Sequence, residues 1–417
     1  MIQIITKHKY ILLFIILVFI FVFFVVPKIG KNYEKNNFVN NENTITEKEQ
    51  EELANIPNSE DIVNQRVVNY IETPKPLKAV YMSSWVASTK TLRQKIVDLV
   101  KRTEINAIVI DVKDYTGKIA FTTENPLINE LGSSENRIRD MKEFIDYLHE
   151  NDIYVIGRIA VFQDPFLAKK WRSEAVTELN NKNNLWKDAK CKREIARGKE
   201  ELCTYWVDAG SPKVWDYITT VGEEAYKIGF DELNFDYVRF PTDGDMKDIY
   251  FPHSEGKDKT EVMTSFFKYL HEHFVLKNET NNLPRPKISI DIFGMVTTNP
   301  DDLNIGQQLE SLAPYFDYIA PMVYPSHYPT GWNNITKPAE KPYEVIKLSM
   351  SKPTERLTAI GEDPNKLRPW LQDFNLGATY TPEMIKAQMK ALNDIGLDSW
   401  MLWDPANTYT EGALLSN

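Results

Sequence analysis

The chain has 417 residues, 42% of them hydrophobic, and a formal net charge of −10, enough for one large domain with a full core. No basic stripe is available to replace phosphate counterions, which argues against a general nucleic-acid binder. The only cysteines, Cys191 and Cys203, form no CxxC metal or cluster motif.

Residues 1–9 include Lys7 and Lys9, and residues 10–27 (YILLFIILVFIFVFFVVP) are an uncharged apolar run of about the length a membrane helix needs. The lysines predict residues 1–9 in the cytoplasm and everything after the run exported, a single-pass cell-membrane arrangement. A cleavable signal peptide is the competing reading. The length of the run and the lack of a small-x-small site after Pro27 stand against it. In an exported domain Cys191 and Cys203 could pair and staple the loop between them; two unpaired thiols are the alternative.

Residues 28–59 are rich in Asn, Lys and Glu and read as a flexible, solvated linker. A helical apolar spacing returns at 62–71 and ends before Pro74 and Pro76. The remainder, 60–417, reads as one domain. Its β-rich runs fall at 78–85, 107–114, 154–162, 230–240, 287–294, 317–325, 367–374 and 399–404. Amphipathic stretches lie between them, at 91–103, 138–151, 212–229 and 381–396 among others. Such alternation implies parallel strands joined by helical crossovers, and about eight units predict a (β/α)₈ TIM barrel with long βα loops. A doubly wound open sheet is the runner-up, but the first βα turn lacks the usual glycine fingerprint. The tail after Asp404 is too short for a closing helix, so a helix around 61–72 is expected to take that place. Long loops at 163–211, with Trp171, Trp186 and Trp206, and at 241–258 are expected to carry binding.

The stretch 229–241 (GFDELNFDYVRFP) organises the site. Leu233, Phe235 and Tyr237 alternate with Glu232, Asn234, Asp236 and Val238, so a barrel would turn the second set inward, with Asp236 near the C-terminal mouth. A solvated edge strand is the plainer reading. The same period places Asp111 and Lys113 on one face of their strand, sets Arg158 alone among apolar neighbours, and pairs Ser289 with Asp291. Buried charges are costly without partners, so Asp111, Arg158, Asp236 and Asp291 at matching strand ends look like a site, or alternatively a structural ion-pair network. Later strands add Tyr324 and His327, then Trp370, Gln372 and Asp373, then Trp403 and Asp404. Aromatic rings beside carboxylates suit a sugar, although tryptophans also serve as barrel packing.

Glycoside hydrolysis needs two carboxyl groups flanking the bond. Asp236 is the expected nucleophile, Asp291 on the next strand the expected acid, and Asp111 a third catalytic candidate. Lys113, Arg158, Asn234, Arg239, Tyr324, Trp370, Gln372, Trp403 and Asp404 are expected to bind substrate. Arg239 could hold Asp236 ionised or simply pair with Asp243. The histidines do not cluster: His271 and His273, two apart on a helix, cannot share a face. No metal and no cofactor are expected, and there is no Walker loop or GxSxG elbow.

Five blocks in order, 103–121 (TEINAIVIDVKDYTGKIAF), 154–168 (YVIGRIAVFQDPFLA), 206–217 (WVDAGSPKVWDY), 229–241 and 367–374 (LRPWLQDF), resemble a largely uncharacterised bacterial family of glycosyl hydrolases. The resemblance spans roughly residues 78 to 408. It implies a TIM barrel distantly similar to the α-amylase and α-galactosidase groups, with a catalytic aspartate ending the fourth strand, here Asp236. In α-amylase-like enzymes the acid is a glutamate after the fifth strand, where this chain has Asp291. In α-galactosidase-like enzymes it is an aspartate after the sixth, where this chain has only Tyr324 and His327 nearby. The combined expectation is a membrane-anchored, extracytoplasmic glycoside hydrolase whose partner is a cell-surface or environmental polysaccharide or oligosaccharide. The alternative is a non-catalytic carbohydrate-binding or envelope-scaffolding barrel. Metal-dependent deacetylation of wall sugars is disfavoured by the scattered histidines.

Overall fold

The computed structural model describes residues 68–417, apart from the side chain of Glu201. The expected cytoplasmic segment, membrane anchor and linker lie outside the described residues. Among the described residues no helix is long and apolar enough to cross a membrane.

Eight parallel strands close into a barrel in sequence order: β1 (Lys78–Met82), β2 (Ala107–Lys113), β3 (Tyr154–Ala160), β4 (Glu232–Asp236), β5 (Lys287–Phe293), β6 (Tyr318–Met322), β7 (Trp370–Gln372) and β8 (Trp400–Trp403). Each falls within its predicted run. β8 pairs back onto β1, so the sheet has no free edge. The two-residue period decides which side chains go where. Ile108, Ile110, Leu233, Phe235, Ile288 and Ile290 belong to the outer core under the helices. Ala79, Tyr81, Val109, Tyr154, Ile156 and Met401 fill the barrel interior.

The main crossovers are α1 (Lys90–Arg102), α2 (Met141–His149), α3 (Pro212–Ile228), α4 (Lys259–His271), α5 (Pro342–Ala359) and α6 (Pro382–Asn393). α3 and α6 start alike. Ser211 and Thr381 accept hydrogen bonds from backbone N–H groups of the first turn, and a proline follows where no N–H is needed. Gly229 ends α3 at φ 122° and turns the chain into β4.

The expected helix around 61–72 is not present in its described part. Residues 68–72 run without helix, Tyr70 stacks on Tyr226 at 4.3 Å, and the Ile71 amide donates to Asp231. The C-terminal tail returns along the end of α1. The Glu104 amide donates to the Leu415 carbonyl, and Ser416 bridges Thr103.

The 163–211 insertion and the 241–258 loop form one layer, joined at Thr177–Tyr250 and Asp188–Gly244. Gly244 lies so close under the Trp186 ring that a Cβ there would meet it at 2.4 Å. Cys191 and Cys203 form a disulfide within the insertion, with Cα atoms 4.4 Å apart.

Candidate active site

The C-terminal ends of β3 to β8 surround a cleft with about 850 Å³ of empty space, part of it open to solvent. Arg158, Asp236 and Asp291 form its floor. Tyr237, Tyr324, Trp370, Phe374 and Trp403 make aromatic walls, buried Gln307 lines them, and Arg239 and His327 lie towards the rim.

Arg158 is the hub. Its Nε donates to Asp236 Oδ2 at 3.0 Å, and its Nη2 donates to the same oxygen. Nη1 donates to Asp111 Oδ1 at 2.8 Å, and Nε lies 3.9 Å from Asp291 Oδ2. Burial works against the charge of the guanidinium, but Asp236 and Asp111 outweigh it and hold Arg158 well above its ordinary range. Three carboxyl groups therefore share one cation.

Asp291 is the group that gives way. Burial first, and then the charge of Asp236, push it up to about 8, against the opposing pull of Arg158 and two hydrogen bonds. Those bonds come from Asn234 Nδ2 at 3.0 Å and Trp370 Nε1 at 2.8 Å, and both end on Oδ1. A proton on Asp291 therefore belongs on Oδ2, the oxygen with no such donor. Asp111 is also raised by burial, with Arg158 and the Tyr81 hydroxyl (2.6 Å) pulling the other way.

β4 stops abruptly at Asp236. Tyr237 adopts φ 53°, a left-handed conformation that is costly for a residue with a bulky side chain, and its amide donates to Asp236 Oδ1 at 2.6 Å. The period-two reading placed Tyr237 outside and Val238 inside. The reversal exchanges them: the Tyr237 ring lines the cleft, and Val238 joins the outer core.

Other expected site residues divide. Trp403 lines the cleft and stacks on Tyr81 at 4.0 Å, while Tyr324 faces Phe374 edge-on at 5.6 Å. Arg239 reaches the cleft but not Asp236; it lies 3.5 Å from Asp243 and over the Trp206 ring. Asn234 and Asp111 sit behind the floor, contacting Asp291 and Arg158. Lys113 is elsewhere. The ladder slips between Asp111 and Lys113, and the Lys113 ammonium bonds to the Ala160 carbonyl and to fully buried Asp164 at 2.7 Å. Gln372 is buried between loops, accepting from the Ser326 amide and donating to the Phe374 carbonyl. Asp404 accepts the Ala406 and Thr408 amides and shapes the tail. Asp373, which burial pushes up to about 6, accepts from Thr410 in the same way. Of the insertion's tryptophans, Trp186 and Trp206 are buried packing residues. Gln307 had no sequence signal. It comes from an irregular loop, accepts the Phe293 amide, and donates to the Val238 and Asp291 carbonyls, joining the ends of β4 and β5. Among the described residues no three His, Cys, Asp or Glu side chains gather to hold a metal ion.

Residues 79–409 match a family described as "Putative glycosyl hydrolase domain". The chain belongs to this family. It is the one that the five sequence blocks resemble. No curated protein matches the sequence of this family member. Among solved structures, the PgaB (BpsB) glycoside hydrolase domain from Bordetella bronchiseptica is 12% identical, with 79% of this chain and 94% of that one covered and a TM-score of 0.56. That likeness concerns the barrel fold alone. A hypothetical protein from Ruminiclostridium thermocellum is 31% identical over 51% of this chain and 96% of its own, with a TM-score of 0.41. A class V chitinase from Nicotiana tobaccum is 10% identical over 81% of this chain and 97% of its own, with a TM-score of 0.46. Family and fold together support a glycoside hydrolase-like function.

Proposed function

We propose that the barrel hydrolyses glycosidic bonds of a cell-surface or environmental polysaccharide, with Asp236 as nucleophile and Asp291 as general acid. One observation carries this reading: at neutral pH the cleft floor pairs a protonated carboxyl, Asp291 at about 8, with a carboxyl gripped by a guanidinium. A buried carboxyl that keeps its proton beside an ion-paired carboxyl is what acid and nucleophile require.

In the first step Asp291 Oδ2 gives its proton to the glycosidic oxygen as the C–O bond breaks, and Asp236 attacks the anomeric carbon. Asp291, now a carboxylate, then takes a proton from water as that water displaces Asp236 from the sugar. The two residues stand on neighbouring strands, and strands in a sheet lie about 5 Å apart, a spacing that suits this retaining course. Arg158 orients Asp236, and Asp111 acts through Arg158 from the side away from the cleft. Trp403, Tyr324 and Phe374 offer faces for sugar rings.

The same proposal includes the location: the apolar run at 10–27 anchors the chain in the cell membrane and the barrel works outside. Protease added to intact cells should then remove the barrel; full protection would contradict an external domain. The chemistry is tested by incubating the full-length chain with bacterial wall polysaccharides and exopolysaccharides and assaying new reducing ends. The wild type should release them, whereas Asp236→Asn should bind the same glycan without release. Binding without release by both proteins would favour a carbohydrate-binding barrel instead.

A further inference from the structure

The cleft that takes the sugar also presents a second guanidinium on its wall, that of Arg239. This residue lies three positions beyond Asp236, where the chain leaves β4, and its side chain lines the cavity. The guanidinium is preset. It lies over the buried Trp206 ring at 4.9 Å, and Trp206 in turn meets Tyr237 edge-on at 6.4 Å. Nη1 donates to the Phe240 carbonyl at 3.1 Å.

Its ionic partner is weak. Asp243 is 3.5 Å away with its side chain 73% exposed, a geometry in which water and salt screen most of the attraction. The other guanidinium of the cleft is already committed to buried carboxylates. Arg158 is taken by Asp236 and Asp111, and Asp291 carries its proton at neutral pH. Burial lowers His327 below its ordinary value, so its ring is neutral there. No lysine lines the cavity among the described residues. Arg239 is left as the cleft-lining cation without a buried carboxylate partner among the described residues, held by a stacked ring on the cleft wall.

We infer that Arg239 forms an anion-binding subsite beside Asp236, so that the sugar bound in this cleft carries a carboxylate or phosphate group. The planar fork of an arginine suits either group. This rests on the hydrolase reading for the identity of the ligand as a glycan, but its own content is the preference for charge.

The test measures binding by the full-length chain to two matched pairs of probes: a uronic-acid polysaccharide with its carboxyl-reduced form, and a phosphate-bearing wall glycan with its dephosphorylated form. The wild type should favour the charged member of at least one pair by about tenfold or more, the scale of a charge-assisted contact. The pair that shows it identifies the carboxylate or the phosphate. Arg239→Gln should abolish the preference with its thermal unfolding unchanged, Arg239→Lys should keep part of it, and Asp243→Asn should strengthen it. Equal binding of both members of both pairs, or a preference that survives Arg239→Gln, would overturn the inference. The two readings fail separately. Preferential binding without cleavage would leave the subsite standing and sink the hydrolase. Cleavage of neutral and charged glycans alike, indifferent to Arg239→Gln, would do the reverse.

Discussion

β4 carries a buried acid at each end, and the two have opposite surroundings. At the N-terminal end, Glu232 meets one cation, Arg368, at 2.9 Å, and accepts a hydrogen bond from the Tyr154 hydroxyl at 3.1 Å. One acid and one base are matched there, and neither lines the cleft. At the C-terminal end, Asp236 shares Arg158 with Asp111 and lies beside Asp291, three acids to one base, under an open cavity. A matched pair fixes the strands in register. A mismatched cluster must keep a proton, and a kept proton can be given away. The division follows the rule for this fold, with chemistry at the C-terminal face and stability at the other.

The comparison is broken most sharply by removing each guanidinium. Arg158→Met leaves Asp111 and Asp236 buried without a cation. It should cost about 3–5 kcal/mol in chemical denaturation and abolish turnover, with no rescue by a second apolar change. Arg368→Met should cost a similar amount, about 3–5 kcal/mol, but the folded fraction should still turn over, and adding Glu232→Leu should restore most of the stability. Rescue of turnover in an Arg158 double variant would erase the distinction.

Next in size is Asp291→Asn, which removes the proton donor and should lower turnover by about 10²- to 10⁴-fold. The pH profiles sharpen the same point. Asp291 is protonated below about 8, so wild-type turnover should fall as pH rises through that value, and the residual activity of the variant should lack that limb. Stability should move the same way. A carboxyl whose folded pKa is raised contributes stability that is complete below its ordinary unfolded value and lost as pH rises through about 8. The wild-type Tm should therefore decline across that interval more than the Tm of Asp291→Asn.

The smallest expected effect concerns a region outside both clusters. Cys191→Ser opens a short loop and should remove at most about 3 kcal/mol, confined to the insertion. Limited proteolysis should quicken around 189–204 while the barrel's unfolding changes little.

Much of this was legible in the sequence, for identifiable reasons. The eight strands were visible because each is a short apolar run, and Asp111, Arg158, Asp236 and Asp291 stood out as charges inside such runs. Lys113 was misplaced because a slip in the ladder is invisible to a strict period of two. Tyr237 was misplaced because nothing marks a tyrosine for a left-handed conformation. Gln372 and Asp404 sit at the expected strand ends, but their polar atoms satisfy loop backbone, a use that side-chain chemistry alone does not distinguish from binding. Arg368 was passed over because its partner Glu232 lies 136 residues away and only barrel closure joins them.

Acid catalysis in this cleft requires Asp291 to hold a proton at neutral pH, and infrared difference spectroscopy of the full-length chain reads that directly without any substrate. The protonated-carboxyl band should fade as pH is raised through about 8, and that component should be missing from Asp291→Asn. A band and titration unchanged by Asp291→Asn would mean that the proton lies elsewhere, and that this residue is not the acid.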